Sequence, residues 1–216
     1  MDVDAVSRLL SLTSHELRSP LGVIRGYLKL LEQRPGALSE PQKQAVAASL
    51  RATDRMVDIL AEVSAFAHLQ RGDTPIATQP TPLTAVGGAA ASTEPSAAVT
   101  VEGDASQVEV LADMSLLGPA RASVTTAVHA ARPREASVPI AIRLEPRNAT
   151  AFARLTIGRL PEGEWSSTPV NILRGGLGLR LPLAAIVVDA HGGQIEEVQQ
   201  NGRMMAMVVW LPLRQA

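Results

Sequence analysis

The sequence predicts an α+β protein in two parts: a two-helix hairpin that dimerises into a four-helix bundle, followed by an α/β sandwich. Three observations carry that prediction. Apolar residues recur in alternating four- and three-residue steps between Leu10 and Ala67, the spacing of a helical seam. The pattern then stops at "QRGDTPIATQPTP", whose Pro and Thr content reads as a linker. Beyond residue 83, strand-like runs mix with helical ones, as in a sheet with helices on one face. The expected domains are residues 1–70 for the hairpin, 71–82 for the linker and 83–216 for the sandwich.

The first helix takes its seam from Leu10, Leu17, Leu21, Ile24, Leu28 and Leu31, with Ser14 at the remaining step. "EQRPGALSEPQ" supplies a Pro-Gly turn, then Ser39 as N-cap with Gln42 in capping-box position. The second helix has a seam of Val46, Leu50, Thr53, Val57, Leu60, Ser64 and Ala67, and Met56, Ile59, Val63 and Phe66 widen it. That stripe is broader than one partner helix covers, which predicts a parallel homodimer.

The second part reads as an Ala-rich segment at 84–98, strands near 98–102 and 107–111, and a helix over 114–131. Two hairpin strands follow, "SVPIAIRLE" and "TAFARLTIG", then a helix at 179–190 and the strands "GQIEEVQ" and "RMMAMVVWLPL". No internal repeat is present.

Composition narrows the function classes. The 216 residues are 46% apolar, enough for packed cores. Lys and Arg total 20 against 21 acidic residues, so the positive excess of a nucleic-acid binder is missing. The absence of cysteine excludes disulfides and thiolate metal sites. Apolar runs such as "LPLAAIVV" fall short of a membrane span, and the acidic start "MDVDAV" is unlike a signal peptide. A soluble, cytoplasmic chain is expected, without nucleic-acid or membrane partners.

The stretch with the most chemical content is "SLTSHELRSPLGVIRGYLKLL", which sets His15 beside Glu16 and ahead of Pro20 within the first helix. His15, Arg18, Ser19, Gly22, Gly26 and Lys29 share one face of that helix, beside the apolar seam. Two interior glycines cost a helix roughly 1 kcal/mol each, so a close-fitting partner is a reason to keep them.

These residues resemble the H-box of two-component sensor histidine kinases, and "GGLGLRLPLAAIVVDAHGGQIEEV" resembles the last glycine box of their ATP-binding domain with the helix and strand after it. The terminal "VVWLPL" matches how such domains end. The resemblance covers nearly the whole chain. It implies a sandwich of the histidine-kinase ATPase type, His15 as phosphoacceptor, Glu16 as the group that fixes the imidazole tautomer, and Ser19 where the family orients a water for dephosphorylation. It also implies that a response-regulator receiver domain docks on Arg18, Ser19, Gly22, Gly26 and Lys29, with an upstream histidine kinase as a further candidate partner.

The middle of the chain departs from the family pattern. Where the family has Mg²⁺-holding asparagines, "ADMSLLGPARASVTTAVHAARP" offers Ser123, Thr125, Thr126 and Ala127. Gly158 or Arg159 stands where the adenine-reading aspartate would fall, and only "EWSSTPVNILR" remains between Gly163 and Gly175 in place of the ATP lid. Gly175, Gly176 and Gly178 survive ahead of a helix, where backbone N–H groups could cradle a phosphate, but the favoured reading is a plain turn before a helix that packs on the sheet; "DAHGG" likewise reads as a helix C-cap with His191 incidental. His68 and His129 read as ordinary, partly exposed residues.

ATP binding is therefore not expected and no cofactor is assigned to this chain, the Mg²⁺ of the reaction belonging to the receiver. The first reading is a dimeric histidine phosphotransferase that moves phosphoryl groups between His15 and receiver aspartates. The second is a non-catalytic module that docks and regulates a response regulator or kinase. The third is an active kinase with atypical nucleotide contacts.

Overall fold

Two long helices form where the seam spacing predicts them. The computed structural model describes residues 3–33, 38–73, 75–88, 97–132, 137–147, 150–170 and 179–213. The chain divides into two units, Met1–Thr74 and Pro75–Ala216.

In the first unit, α1 (Val3–Glu32) and α2 (Glu40–Gln70) pack as a hairpin. The start of α2 uses the expected glutamine: Gln42 Oε1 accepts from the Ser39 N–H at 2.8 Å and from the Ser39 hydroxyl at 3.0 Å. Its far end closes on Gly72, whose φ of 68° favours glycine and whose N–H donates to the Leu69 carbonyl at 3.1 Å. Leu50, Thr53, Leu60 and Ala67 are buried on α2, facing Ser7 and Ser14, buried on α1. Hydroxyls tolerate this seam by turning back on their own helix, Ser14 Oγ to the Leu10 carbonyl and Thr53 Oγ1 to the Ser49 carbonyl, each at 2.8 Å. Arg71 closes the open end, donating from Nη1 to the Ser7 carbonyl at 3.2 Å.

The seam differs from the expected one at three positions. Leu17, Ile24 and Leu31 are 47%, 48% and 40% exposed, because at 3.6 residues per turn they drift to one side of the line facing α2. They form a second apolar edge outside the hairpin's own core.

Among its described residues the second unit holds a six-stranded sheet, a two-stranded sheet and three α-helices. The strands of the larger sheet are β2 (Ala97–Val101), β4 (Val138–Arg147), β5 (Thr150–Gly158), β6 (Ser166–Pro169), β7 (Gln194–Gln200) and β8 (Arg203–Pro212), in the order β2-β4-β5-β8-β7-β6. Only β2–β4 is parallel; β4–β5, β5–β8, β8–β7 and β7–β6 are antiparallel. The helices are α3 (Leu83–Gly88), α4 (Met114–Ala131) and α5 (Arg180–Ala190). Ile140, Ile142, Leu155, Ile157, Met207 and Leu211 form the buried sheet side of the core, and Leu117, Val124, Val128 and Val188 its helix side, as the expected sandwich requires.

Two strands were not anticipated. The last four residues of the expected linker, Gln79–Pro82, form β1, which pairs antiparallel with β3 (Glu109–Ala112). Prolines remove ladder donors but do not forbid a short strand with one partner. The boundary between the two units, after Thr74, falls inside the expected linker, whose last four residues join the second unit as a strand. β6 arises in the stretch after Gly163 and is exposed throughout, so it carries no apolar alternation to read.

His191 is not incidental. At the C-cap of α5 its ring joins two helices: Nε2 accepts the Asp113 N–H at 3.0 Å, and Nδ1 lies 2.7 Å from the Val187 carbonyl, which places the proton on Nδ1. Asp113 in turn is the N-cap of α4, accepting from Ser115 N–H at 3.0 Å and from the Ala77 N–H at 3.1 Å. The C-cap reading of "DAHGG" itself holds, with Gly192 at φ 73°.

Candidate functional site

The site is built on α1. A helix turns about 100° per residue, so side chains at steps of three, four, seven, eleven and fourteen from His15 line one flank. His15, Arg18, Ser19, Gly22, Gly26 and Lys29 are all exposed along it. Leu17, Ile24 and Leu31 occupy the opposite flank of the α2-facing line. Because α2 runs antiparallel, its exposed Met56 and Ile59 fall on the same side of the hairpin as those three residues. The hairpin thus presents an apolar edge on one side and the histidine flank on the other.

The histidine flank is open. An added Cβ at Gly22 or Gly26 would meet nothing within 4 Å, so packing within the chain gives no reason for glycine at either place. Both glycines keep the surface below His15 shallow. Arg25 Nε forms an ion pair with Asp54 Oδ1 at 2.8 Å, with both side chains more than two-fifths exposed. It links α1 to α2 beside this flank. The sequence reading missed this pair, since its members lie on different helices and each alone looks like a solvated charge.

Pro20 lies inside α1. It has no N–H, so the Glu16 carbonyl, four residues back, loses its helical donor. One helical hydrogen bond is thus missing in the turn that carries His15. Glu16 is exposed and sits about 100° round from His15, off the open flank. The two side chains share no hydrogen bond in this rotamer arrangement.

In the second unit, the α4 hydroxyls at the positions named by the resemblance bond to their own helix. Ser123, Thr125 and Thr126 donate to the carbonyls of Pro119, Arg121 and Ala122 at 2.9 Å each, and Ala127 is buried. Gly158 has φ 97°, and a Cβ there would lie 2.9 Å from Val128 Cγ1 and 3.0 Å from the Met205 carbonyl oxygen. Arg159 is exposed. Gly175, Gly176 and Gly178 lie outside the described residues. Among the described residues no group of three or more His, Asp or Glu side chains is placed to hold a metal ion, and no helix is long and apolar enough to cross a membrane.

Residues 5–72 match the family model of the His Kinase A (phospho-acceptor) domain. The match is confined to the hairpin. Among solved structures, full-length ShkA, crystallised in complex with AMPPNP, aligns with a TM-score of 0.68 and 18% identity over 97% of this chain and 46% of ShkA. The chain therefore spans about half the length of that relative. The histidine kinase AdeS of Acinetobacter baumannii aligns with a TM-score of 0.52 and 12% identity, over 93% of this chain and 98% of AdeS. No curated protein sequence matches. The chain shares the fold of these two histidine kinases, a two-helix hairpin followed by an α/β sheet unit.

Proposed function

We propose that this His Kinase A hairpin works as a dimeric histidine phosphotransferase that exchanges phosphoryl groups between His15 and the aspartates of response-regulator receiver domains, without using ATP. The observation that carries the docking part is the open flank: Gly22 and Gly26 have nothing within 4 Å of an added Cβ, and they lie one helical face with the exposed His15. A glycine that no contact inside the chain requires is explained by a surface that comes from outside. A second copy is not that surface, because it is drawn to the other edge. Leu17, Ile24, Leu31, Met56 and Ile59 are between 38% and 48% exposed, and covering each fully is worth about 1.5–3 kcal/mol per side chain scaled by its exposed share. Pairing two hairpins through that edge leaves both histidine flanks free.

The chemistry asks little of this chain. The imidazole must be neutral and in line with the phosphorus, and the aspartyl phosphate and its Mg²⁺ come with the receiver. The P–O bond to the receiver aspartate breaks as the P–N bond to His15 forms. The departing carboxylate stays on the receiver, and the ring proton on the other imidazole nitrogen passes to solvent or to Glu16 after a change of rotamer. A rigid helix holds the nucleophile better than a loop.

Loss of ATP chemistry is the second part of the proposal. ShkA is known with AMPPNP bound, but here the hydroxyls of Ser123 and Thr126 bond to their own helix. Gly158 has no room for an aspartate. Mixing the full chain with a phosphorylated receiver tests the transfer: label should move to the chain, vanish in His15→Ala, and move more slowly in Glu16→Ala. Transfer that survives His15→Ala refutes it. Saturable Mg-ATP binding by calorimetry, with phosphate incorporated at His15, refutes the loss of ATP use.

A further inference from the structure

The first strand of the second unit is held mainly by its backbone. β1 runs against β3 in a register that pairs Gln79 with Ala112 and Thr81 with Val110. The Leu83 N–H extends the ladder, donating to the Val108 carbonyl at 3.0 Å. Hydrogen-bonded rungs of an antiparallel pair alternate, so residues 79, 81 and 83 face β3, and Pro80 and Pro82 face away from it. Thr81 is the one buried residue of β1, and its hydroxyl turns back to the Gln79 carbonyl at 3.0 Å. A strand that buries no apolar side chain opens easily unless something else holds it.

Asp113 supplies that hold. By the same register the rung beyond Gln79 would join Ala77 to residue 114, but Met114 has already entered α4. The Asp113 carboxylate stands in for the missing carbonyl: Oδ2 accepts the Ala77 N–H at 3.1 Å, while Oδ1 accepts from Ser115. His191 fixes the aspartate by accepting its N–H at 3.0 Å. On the hairpin side, the Asp73 N–H donates to the His68 carbonyl at 3.2 Å and the Asp73 carboxylate pairs with Arg71 at 2.6 Å. Only residues 74–76 separate the two anchors.

We propose that residues 77–82 form a releasable strap, whose docking on Asp113 and β3 sets the length of the tether between the two units. With the strap docked, the tether is residues 74–76, which reach about 10 Å when extended. With it released, the tether is residues 74–82, which reach about 30 Å and end at the buried Leu83. The range of movement open to the second unit is then adjustable without unfolding either unit. This device does not depend on the phosphotransfer reading.

The test uses two variants of the full chain. Asp113→Asn keeps an N-cap of equal rank for α4 but turns an amide donor toward the Ala77 N–H. Ala77→Pro, at an exposed position, removes that N–H and leaves Asp113 intact. In hydrogen exchange, the Gln79 and Thr81 amides should lose about tenfold in protection in both variants, with β5 and β8 as protected as in the parent. The chain has no cysteine, so spin labels at Arg51→Cys and Arg203→Cys, diluted with unlabelled chain, report the distance between the units. That distribution should widen toward longer distances in both variants. Unchanged protection at Gln79 and Thr81 overturns the proposal, as does protection lost there only together with that of β5. An unchanged distance distribution overturns it too. Should Asp113→Asn not fold, Ala77→Pro decides by the same readings.

Discussion

Replacing Gly22 and Gly26 by alanine separates a stabilised helix from an obstructed surface. Both glycines lie inside α1, neither has a positive φ, and an added Cβ meets nothing within 4 Å at either position. The native backbone therefore accepts alanine without strain. Alanine exceeds glycine in helix propensity by about 0.8–1.0 kcal/mol per interior site, so the double variant should gain about 2 kcal/mol. With a urea slope of about 2 kcal/mol per molar, the helical transition should move up by about 1 M, followed by circular dichroism. Receiver phosphotransfer should fall over the same pair, on the order of tenfold, because each methyl lifts the partner off a surface that positions His15. A lower urea midpoint would refute the open-flank reasoning, since it would mean that these glycines are packed in the folded protein. A higher midpoint with unchanged transfer would refute the docking assignment while leaving the geometry intact.

Other perturbations probe the remaining parts. Ile24→Asp, at a side chain 48% exposed within one chain, should leave the hairpin helical but reduce the light-scattering mass from two chains to one at micromolar concentration; an unchanged mass would remove the apolar edge as the dimer contact. His191→Ala should destabilise the second unit by about 2 kcal/mol, because it leaves the buried Asp113 N–H without the acceptor it now has at 3.0 Å; a loss under about 0.5 kcal/mol would show that water replaces the ring. Glu196 has its carboxyl held below the usual 4.5: partial burial raises it, but hydrogen bonding from Ser167 and the charge and hydrogen bond of Arg147 outweigh that. Its contribution is thus full above the unfolded value and disappears as pH falls through the lower folded value. Glu196→Gln should flatten that part of the acid denaturation curve, and an identical curve would count against the pairing.

What the sequence made legible followed from periodicity. Leu50, Thr53, Leu60 and Ala67 repeat in three- and four-residue steps and are buried, so α2 and its facing side were readable before any coordinates. Leu17, Ile24 and Leu31 obey the same spacing yet lie outside the intrachain core, because a heptad pattern does not say which of two neighbouring helices a stripe faces. β1 hid behind Pro80 and Pro82, and β6 behind four exposed residues. Each is a short strand defined by its partner rather than by its own side chains. The histidine flank was legible as one face of α1. What the sequence could not show was that Gly22 and Gly26 are unopposed, or that Arg25 reaches Asp54 across the hairpin.

The proposed loss of ATP use has a physical depth that single substitutions would not reverse. An aspartate at position 158 is opposed twice over: the backbone there is at φ 97°, where a side chain is strained, and its Cβ would press on Val128 Cγ1, the Met205 carbonyl oxygen and Ala206 Cα within 3.1 Å. Val128 is fully buried on α4, so making room at Gly158 means cutting into the contact between α4 and β5. Asparagine at positions 123 and 127 faces a related obstacle at the second position only. Ser123 is partly exposed and loses just a back-bond to Pro119 on replacement, whereas Ala127 is 2% exposed and has no space for an amide without displacing its neighbours. Of the positions the resemblance names, Ala127 and Gly158 are hemmed in by buried neighbours, whereas Ser123 is half-buried and Thr126 and Arg159 are exposed. A hairpin that takes its phosphoryl group from a receiver is indifferent to that crowding, because the reaction at His15 draws nothing from α4 or β5.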